Sequence, residues 1–120
     1  MPDYAIGSFL KYMTEHYNDV TLVSMANHFN FHPSYLSGLF KSLSGFTFSE
    51  KLLMIRLEQS KRLLLTTNLN IDTIVEMIGF REKSYFHRCF KRYYQITPSQ
   101  YRKENSQTQT AKVNKKSTGN

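Results

Sequence analysis

Residues 71–103 read IDTIVEMIGFREKSYFHRCFKRYYQITPSQYRK. Their apolar positions recur at helical spacing in two groups, Ile71, Ile74, Val75 and Ile78, then Phe86, Cys89, Phe90 and Tyr93. Asn70 suits the N-cap of the first group, and Gly79 suits the left-handed position that closes it. Thr97 and Pro98 open a last short helix through Tyr101. The stretch therefore predicts a short helix, a tight turn and a longer helix from about Lys83 to Tyr94. Within Arg81–Arg92 five basic residues (Arg81, Lys83, Arg88, Lys91, Arg92) stand against Glu82 alone. Basic residues gathered on one side of a helix point to a polyanionic partner.

The same pattern occurs earlier in the chain. An offset of 50 pairs Ser34 with Ser84, Tyr35 with Tyr85, Phe40 with Phe90, Lys41 with Lys91, Thr47 with Thr97 and Ser49 with Ser99. Upstream, an offset of 49 pairs Leu22 with Ile71, Met25 with Ile74, Ala26 with Val75 and Phe31 with Phe80. The one-residue slip falls in the turn between the short and the long helix, where an insertion is tolerated. Caps, aromatics, lysines and inner positions agree in register, so the chain carries two copies of helix, turn, helix.

The remaining elements follow from local chemistry. Ile6, Phe9, Leu10, Met13 and Tyr17 predict a first amphipathic helix ending near Asn18. Thr21 caps a second helix with Leu22, Met25, Ala26 and Phe29 inside, and Asn30 suits the turn after it. Pro33 starts a third helix with Leu36, Leu39, Phe40 and Leu43 inward, stopped by Gly45. Thr47-Phe-Ser-Glu50 matches a capping box and opens the longest helix, to about Thr66. No alternating run suggests a strand. The segment 106–120, SQTQTAKVNKKSTGN with the Ser at 106, lacks large apolar residues other than one Val and is expected to be a disordered tail.

Net charge is +7, the chain has one cysteine, and no apolar stretch approaches a membrane span. A single Cys89 excludes an internal disulfide framework and a CxxC site, so a reducing, intracellular and cytoplasmic setting is expected. Cys89 lies among Phe86, Phe90 and Tyr93 and reads as a structural thiol. His16, His28, His32 and His87 show no ligand spacing with carboxylates or cysteine, so no metal or other cofactor is expected. No glycine-rich phosphate loop, nucleophile elbow, HExxH or carboxylate pair is present, so no catalytic residue is assigned. The seventeen Tyr and Phe residues read mainly as core filling.

A helix-turn-helix with an exposed basic second helix is the geometry that enters a DNA major groove. The motifs MANHFNFHPSYLSGLFKSLSGFTFSEKLLMIRLEQSKRLLL and IDTIVEMIGFREKSYFHRCFKRYYQITPSQYRK resemble the DNA-binding domain of the AraC/XylS family of bacterial transcription regulators. The resemblance covers about Ile6 to Lys103 and is most specific in the second half, where a GF frame leads to FK and then to TP-x-x-YR. It implies an all-α fold of seven helices. A DNA-binding domain over 1–104 would comprise a helix-turn-helix subdomain at about 4–45, a linker helix at 47–66 and a second subdomain at 68–103, followed by a polar tail at 105–120. Implied partners are double-stranded promoter or operator DNA and RNA polymerase, in the bacterial nucleoid. Nothing in the residues indicates self-association or a membrane. The chain is short for a regulated member of this family, so a DNA-binding segment of a longer regulator is expected.

Carried over position by position, the resemblance offers Ser34, Ser37, Gly38 and Lys41 from the first recognition helix to the groove. The second offers Glu82, Lys83, Ser84, His87, Arg88 and Lys91. Arg88 is the candidate for bidentate contact with guanine O6 and N7, against a surface pairing with Glu82 or another acid. His87 and Glu82 are candidate readers of neighbouring bases, though Glu82 equally suits the helix dipole. Lys41, Lys91 and Arg92 are expected on phosphates, together with Thr21. Tyr35 and Tyr85 either wedge against the DNA backbone or pack on the core. Gly38 stands where relatives often carry a long polar side chain, which implies weak base reading, close backbone approach or shape readout by the first helix. Ser60 and Val75, where the family usually has alanine, read as packing variants. The competing reading is a helical module that binds a partner protein; the basic face of Lys83–Arg92, in place of an apolar strip, speaks against it.

Overall fold

Local caps and turns define where each helix starts and stops. In the computed structural model, residues 4–106 are described, and among them there are only helices and short connections. The described residues form seven helices: α1 (Tyr4–Glu15), α2 (Leu22–Phe29), α3 (Pro33–Ser44), α4 (Phe48–Thr66), α5 (Ile71–Met77), α6 (Lys83–Tyr94) and α7 (98–106). The chain divides into two compact units, Met1–Glu58 and Gln59–Asn120, with the boundary inside α4.

In the first unit, Thr21 and Ser24 satisfy each other's backbone N–H groups at 3.0 and 2.9 Å and open α2. Asn30 then takes the left-handed conformation, φ 62°, which turns the chain into α3. Pro33 occupies the first turn of α3, and Gly45 ends it at φ 81°. Thr47 and Glu50 form the expected capping box of α4, with Glu50 N–H donating to Thr47 Oγ1 at 3.0 Å and Thr47 N–H to Glu50 Oε1 at 2.8 Å. The unit's core gathers Phe9, Met13, Met25, Leu36, Phe40 and Phe48. Phe9 meets Phe29 edge-on at 5.0 Å, and Phe40 meets Phe48 at 6.4 Å. Each large side chain so buried stabilises the fold by about 1.5–3 kcal/mol.

α1 ends at Glu15, short of the expected Asn18, and residues 16–19 form a turn. The Tyr17 carbonyl in that turn accepts a 2.7 Å hydrogen bond from Arg56 Nε of α4. Burial pulls the Arg56 guanidinium below its ordinary value, and the Asp19 carboxylate partly restores it. The carbonyl bond satisfies part of a half-buried guanidinium.

The second unit repeats these devices. Asn70 accepts from Thr73 N–H at 2.8 Å and caps α5, and Gly79 turns the chain at φ 96°. Gln95 ends α6 in the left-handed conformation at φ 65°, the place Gly45 holds in the first copy. Thr97 and Gln100 repeat the box that opens α4, here at the start of α7, with bonds of 3.2 and 3.1 Å. Ile74, Ile78, Phe86 and Phe90 are fully buried. Phe80 meets Phe86 at 5.3 Å, and Phe90 meets Tyr101 at 5.8 Å.

Two expectations change here. Tyr93, expected inward, is 45% exposed, and Tyr94 takes the inner place with its ring 4.8 Å from that of Phe90. The last helix runs past Tyr101 to 106, so positions 105 and 106 of the expected tail are helical; Asn105 Nδ2 donates to the Tyr101 carbonyl at 2.8 Å. The rest of that tail, 107–120, lies outside the described residues.

The long helix serves both units. Its first half, with Phe48 and Leu52 buried, follows α3 as α7 follows α6. Its second half, with Leu63 and Leu64 buried, precedes α5 as α1 precedes α2. Ser60 is fully buried, which agrees with its reading as a packing position.

Candidate nucleic-acid interface

A helix that seals one side in a core leaves the opposite side for ligands, and both second helices do this. On α3, Leu36 and Phe40 are fully buried, whereas Ser34, Ser37, Gly38 and Lys41 are exposed. On α6, Phe86, Cys89 and Phe90 are buried, whereas Lys83, Ser84, Arg88, Lys91 and Arg92 are exposed and His87 is half-buried. Glu82, the N-cap of α6, is also exposed. Ser34, Ser37, Gly38 and Lys41 therefore share one side of α3, and Lys83, Ser84, His87, Arg88 and Lys91 share one side of α6, whereas Thr21 stands at the start of α2 and Glu82 just before α6.

The side chains differ in how firmly they are held. The Arg88 guanidinium lies over the Tyr85 ring, 5.7 Å from its centre, and not on Glu82. Glu82 makes no side-chain bond to its own helix end, so its carboxylate is not spent on capping. Lys83 Nζ pairs with Asp72 Oδ2 of α5 at 3.0 Å, both side chains more than half exposed. An exposed pair of this kind contributes about 0–1 kcal/mol and yields readily to a phosphate. Thr21 Oγ1 accepts from Ser24 N–H, which leaves its hydroxyl proton free to donate.

Tyr35 and Tyr85 occupy equivalent places in the two units. They are 55% and 46% exposed, and each leans on the aromatic residue of the preceding turn, Tyr35 on Phe31 at 5.4 Å and Tyr85 on Phe80 at 5.8 Å. A hydrogen bond with Cys89 holds the Tyr85 phenol above its ordinary range.

Sequence reasoning missed two residues. His32 is the N-cap of α3: its Nδ1 accepts from Ser34 N–H at 3.2 Å. Histidine is not among the usual capping residues, and only its place before Pro33 hinted at the role. Arg102 donates from Nε to the Leu64 carbonyl at 3.0 Å and from Nη2 to the Thr67 carbonyl at 3.2 Å. It satisfies the open carbonyls at the end of α4, a long-range bond that no local pattern announces. Among the described residues no group of three or more His, Cys, Asp or Glu side chains is placed to hold a metal ion. No helix among them is long and apolar enough to cross a membrane.

Comparison with known proteins agrees with this geometry. The family profile described as a helix-turn-helix domain matches residues 25–104. The raffinose operon transcriptional regulatory protein RafR of Pediococcus pentosaceus is 34% identical over 95 residues, covering 78% of this chain and 34% of that protein. Among solved structures, the C-terminal domain of the two-component response regulator yesN from Fusobacterium nucleatum is 40% identical with a TM-score of 0.74, covering 82% of this chain and 98% of that one. The C-terminal domain of AraT, a response regulator from Geobacillus stearothermophilus, is 35% identical with a TM-score of 0.75, covering 87% and 86%. The chain spans about a third of the length of the curated relatives it matches. Paired helix-turn-helix units, their exposed second helices and these matches agree: the chain belongs to the AraC/XylS family of DNA-binding transcription regulators.

Proposed function

We propose that the chain reads double-stranded DNA with α3 and α6 in two successive major grooves, and that it does so without catalysis. The observation that carries this reading is the exposed side of α6, where Ser84, Arg88, Lys91 and Arg92 stand opposite the buried Phe86, Cys89 and Phe90. Ser34, Ser37, Gly38, Glu82, Lys83, Ser84, His87 and Arg88 face base edges. Thr21, Tyr35, Lys41, Tyr85, Lys91 and Arg92 face phosphates, which fix position without carrying sequence. Promoter or operator DNA is the target, which the name of the raffinose operon transcriptional regulatory protein supports, and RNA polymerase is the protein partner, in the bacterial nucleoid.

Selection of bound duplexes from a random library at two salt concentrations tests the reading. One enriched motif with two blocks, centred about 34 Å apart along the duplex, is expected. A steep fall of affinity with salt should accompany it. Arg88→Ala should lose about 1–3 kcal/mol of discrimination at one guanine while retaining much of the non-specific binding. An equal loss on scrambled duplex would remove Arg88 from base reading, and absence of any motif would end the proposal.

A further inference from the structure

Positions 32 and 82 are equivalent in the repeat, each immediately before its second helix, yet they carry opposite hydrogen-bonding chemistry. His32 sits in extended backbone, φ −71° and ψ 139°, and its Nδ1 accepts from Ser34 N–H at 3.2 Å. A ring nitrogen that accepts carries no proton, so the neutral imidazole must hold its single proton on Nε2. The two ring nitrogens point apart. With Nδ1 turned to the helix end and the side chain exposed, Nε2–H is directed away from the backbone of α3. The cap thus fixes which nitrogen donates. Glu82 makes no such bond at the start of α6, and as a carboxylate it only accepts.

We infer that His32 is a further specificity-determining residue, donating from Nε2 to a guanine at the edge of the block read by the first unit. Guanine is the base whose major-groove edge shows two acceptors and no donor, whereas a carboxylate selects the amino group of cytosine. The equivalent base is then guanine in one block and cytosine in the other, so the blocks differ although the units share a frame. This inference rests on the reading that the first turns of α3 and α6 face base edges.

Library selection with wild type, His32→Asn and His32→Glu tests it, with thermal melting to verify the fold. Asparagine is a good N-cap and keeps the acceptor for Ser34 N–H, but it is too short to donate where Nε2 does. Wild type should favour guanine at one position by about two- to tenfold, the span of a single net hydrogen bond. His32→Asn should flatten that position alone, and His32→Glu should move the preference to cytosine. A two-block motif unchanged by either substitution overturns the inference while leaving groove reading intact. Equal weakening on every sequence by His32→Asn also overturns it, since that marks a phosphate contact. If wild type itself selects no motif, groove reading fails and the inference with it.

Discussion

The two helix-turn-helix units share a frame and differ in what they display. Both use an aromatic at the turn (Phe31, Phe80), a buried phenylalanine in the second helix (Phe40, Phe90) and a threonine box at the next helix (Thr47 with Glu50, Thr97 with Gln100). Yet where α6 carries His87 and Arg88, α3 carries Ser37 and Gly38. Positions that pack are held alike because a close-packed interior tolerates few volumes. Of the exposed positions, Ser34/Ser84, Tyr35/Tyr85 and Lys41/Lys91 are retained, whereas Ser37/His87 and Gly38/Arg88 have diverged. Shared core positions therefore carry stability, and the diverged pairs 37/87 and 38/88 are where the two units would read different bases.

That division is most severely tested in the core. Phe40→Ala and Phe90→Ala should each destabilise by about 3–5 kcal/mol in denaturant unfolding. A markedly smaller loss at either site would show that the units do not share a packing logic. The helix ends give a finer contrast. Gly45 and Gln95 hold the same left-handed position, φ 81° and 65°, but only glycine does so without strain. Gly45→Gln should cost about 1 kcal/mol, the strain being partly offset by a stiffer unfolded chain. Gln95→Gly should gain slightly less, because it forfeits the bond from Gln95 Nε2 to the Arg92 carbonyl at 3.0 Å. Equal melting temperatures for wild type and Gly45→Gln would show that the strain argument is wrong.

Gly38 has open space around the position of an added side chain, so packing does not require it. Gly38→Ala should stabilise α3 by about 0.5–1 kcal/mol. Gly7→Ala in α1, also with open space, should do the same and is the control. If Gly38→Ala weakens DNA binding while Gly7→Ala does not, close backbone approach is the reason for glycine in the first recognition helix. The smallest effect expected is on pH. The backbone N–H of Thr47, and then its hydroxyl, hold Glu50 below its ordinary value. Its contribution is therefore complete above the unfolded carboxylate range and fades as pH falls through the lowered folded value. Gln100 has no charge to lose. Amide exchange in acid should accelerate in the first turn of α4 before that of α7, and parallel changes would break the contrast.

Much of this frame was legible because it is written in neighbouring residues. Thr21, Asn30, Pro33, Gly45, Asn70 and Gly79 act within a turn of where they stand, and each does what its chemistry suggests. The failures are instructive for the same reason. Tyr93 fits the inward spacing, but Tyr94 is the ring placed between Phe90 and the Lys61 ammonium, 4.3 Å from its centre. Gln95 in a glycine's place, Arg102 on carbonyls of α4 and Lys83 on Asp72 depend on tertiary neighbours. At the interface, residue types and exposure were legible, whereas side-chain commitments were not. The capped imidazole of His32 and the ring beneath Arg88 appear only once the helices are in place.

Cys89 is the chain's one thiol, 7% exposed, and it belongs to the second unit alone. A disulfide reagent reaches it only when α6 lifts from its packing, so labelling kinetics time the opening of one half of the molecule without any engineered probe. A duplex that grips α6 should slow that clock, and the retardation at saturation would measure how tightly the bound helix is held shut.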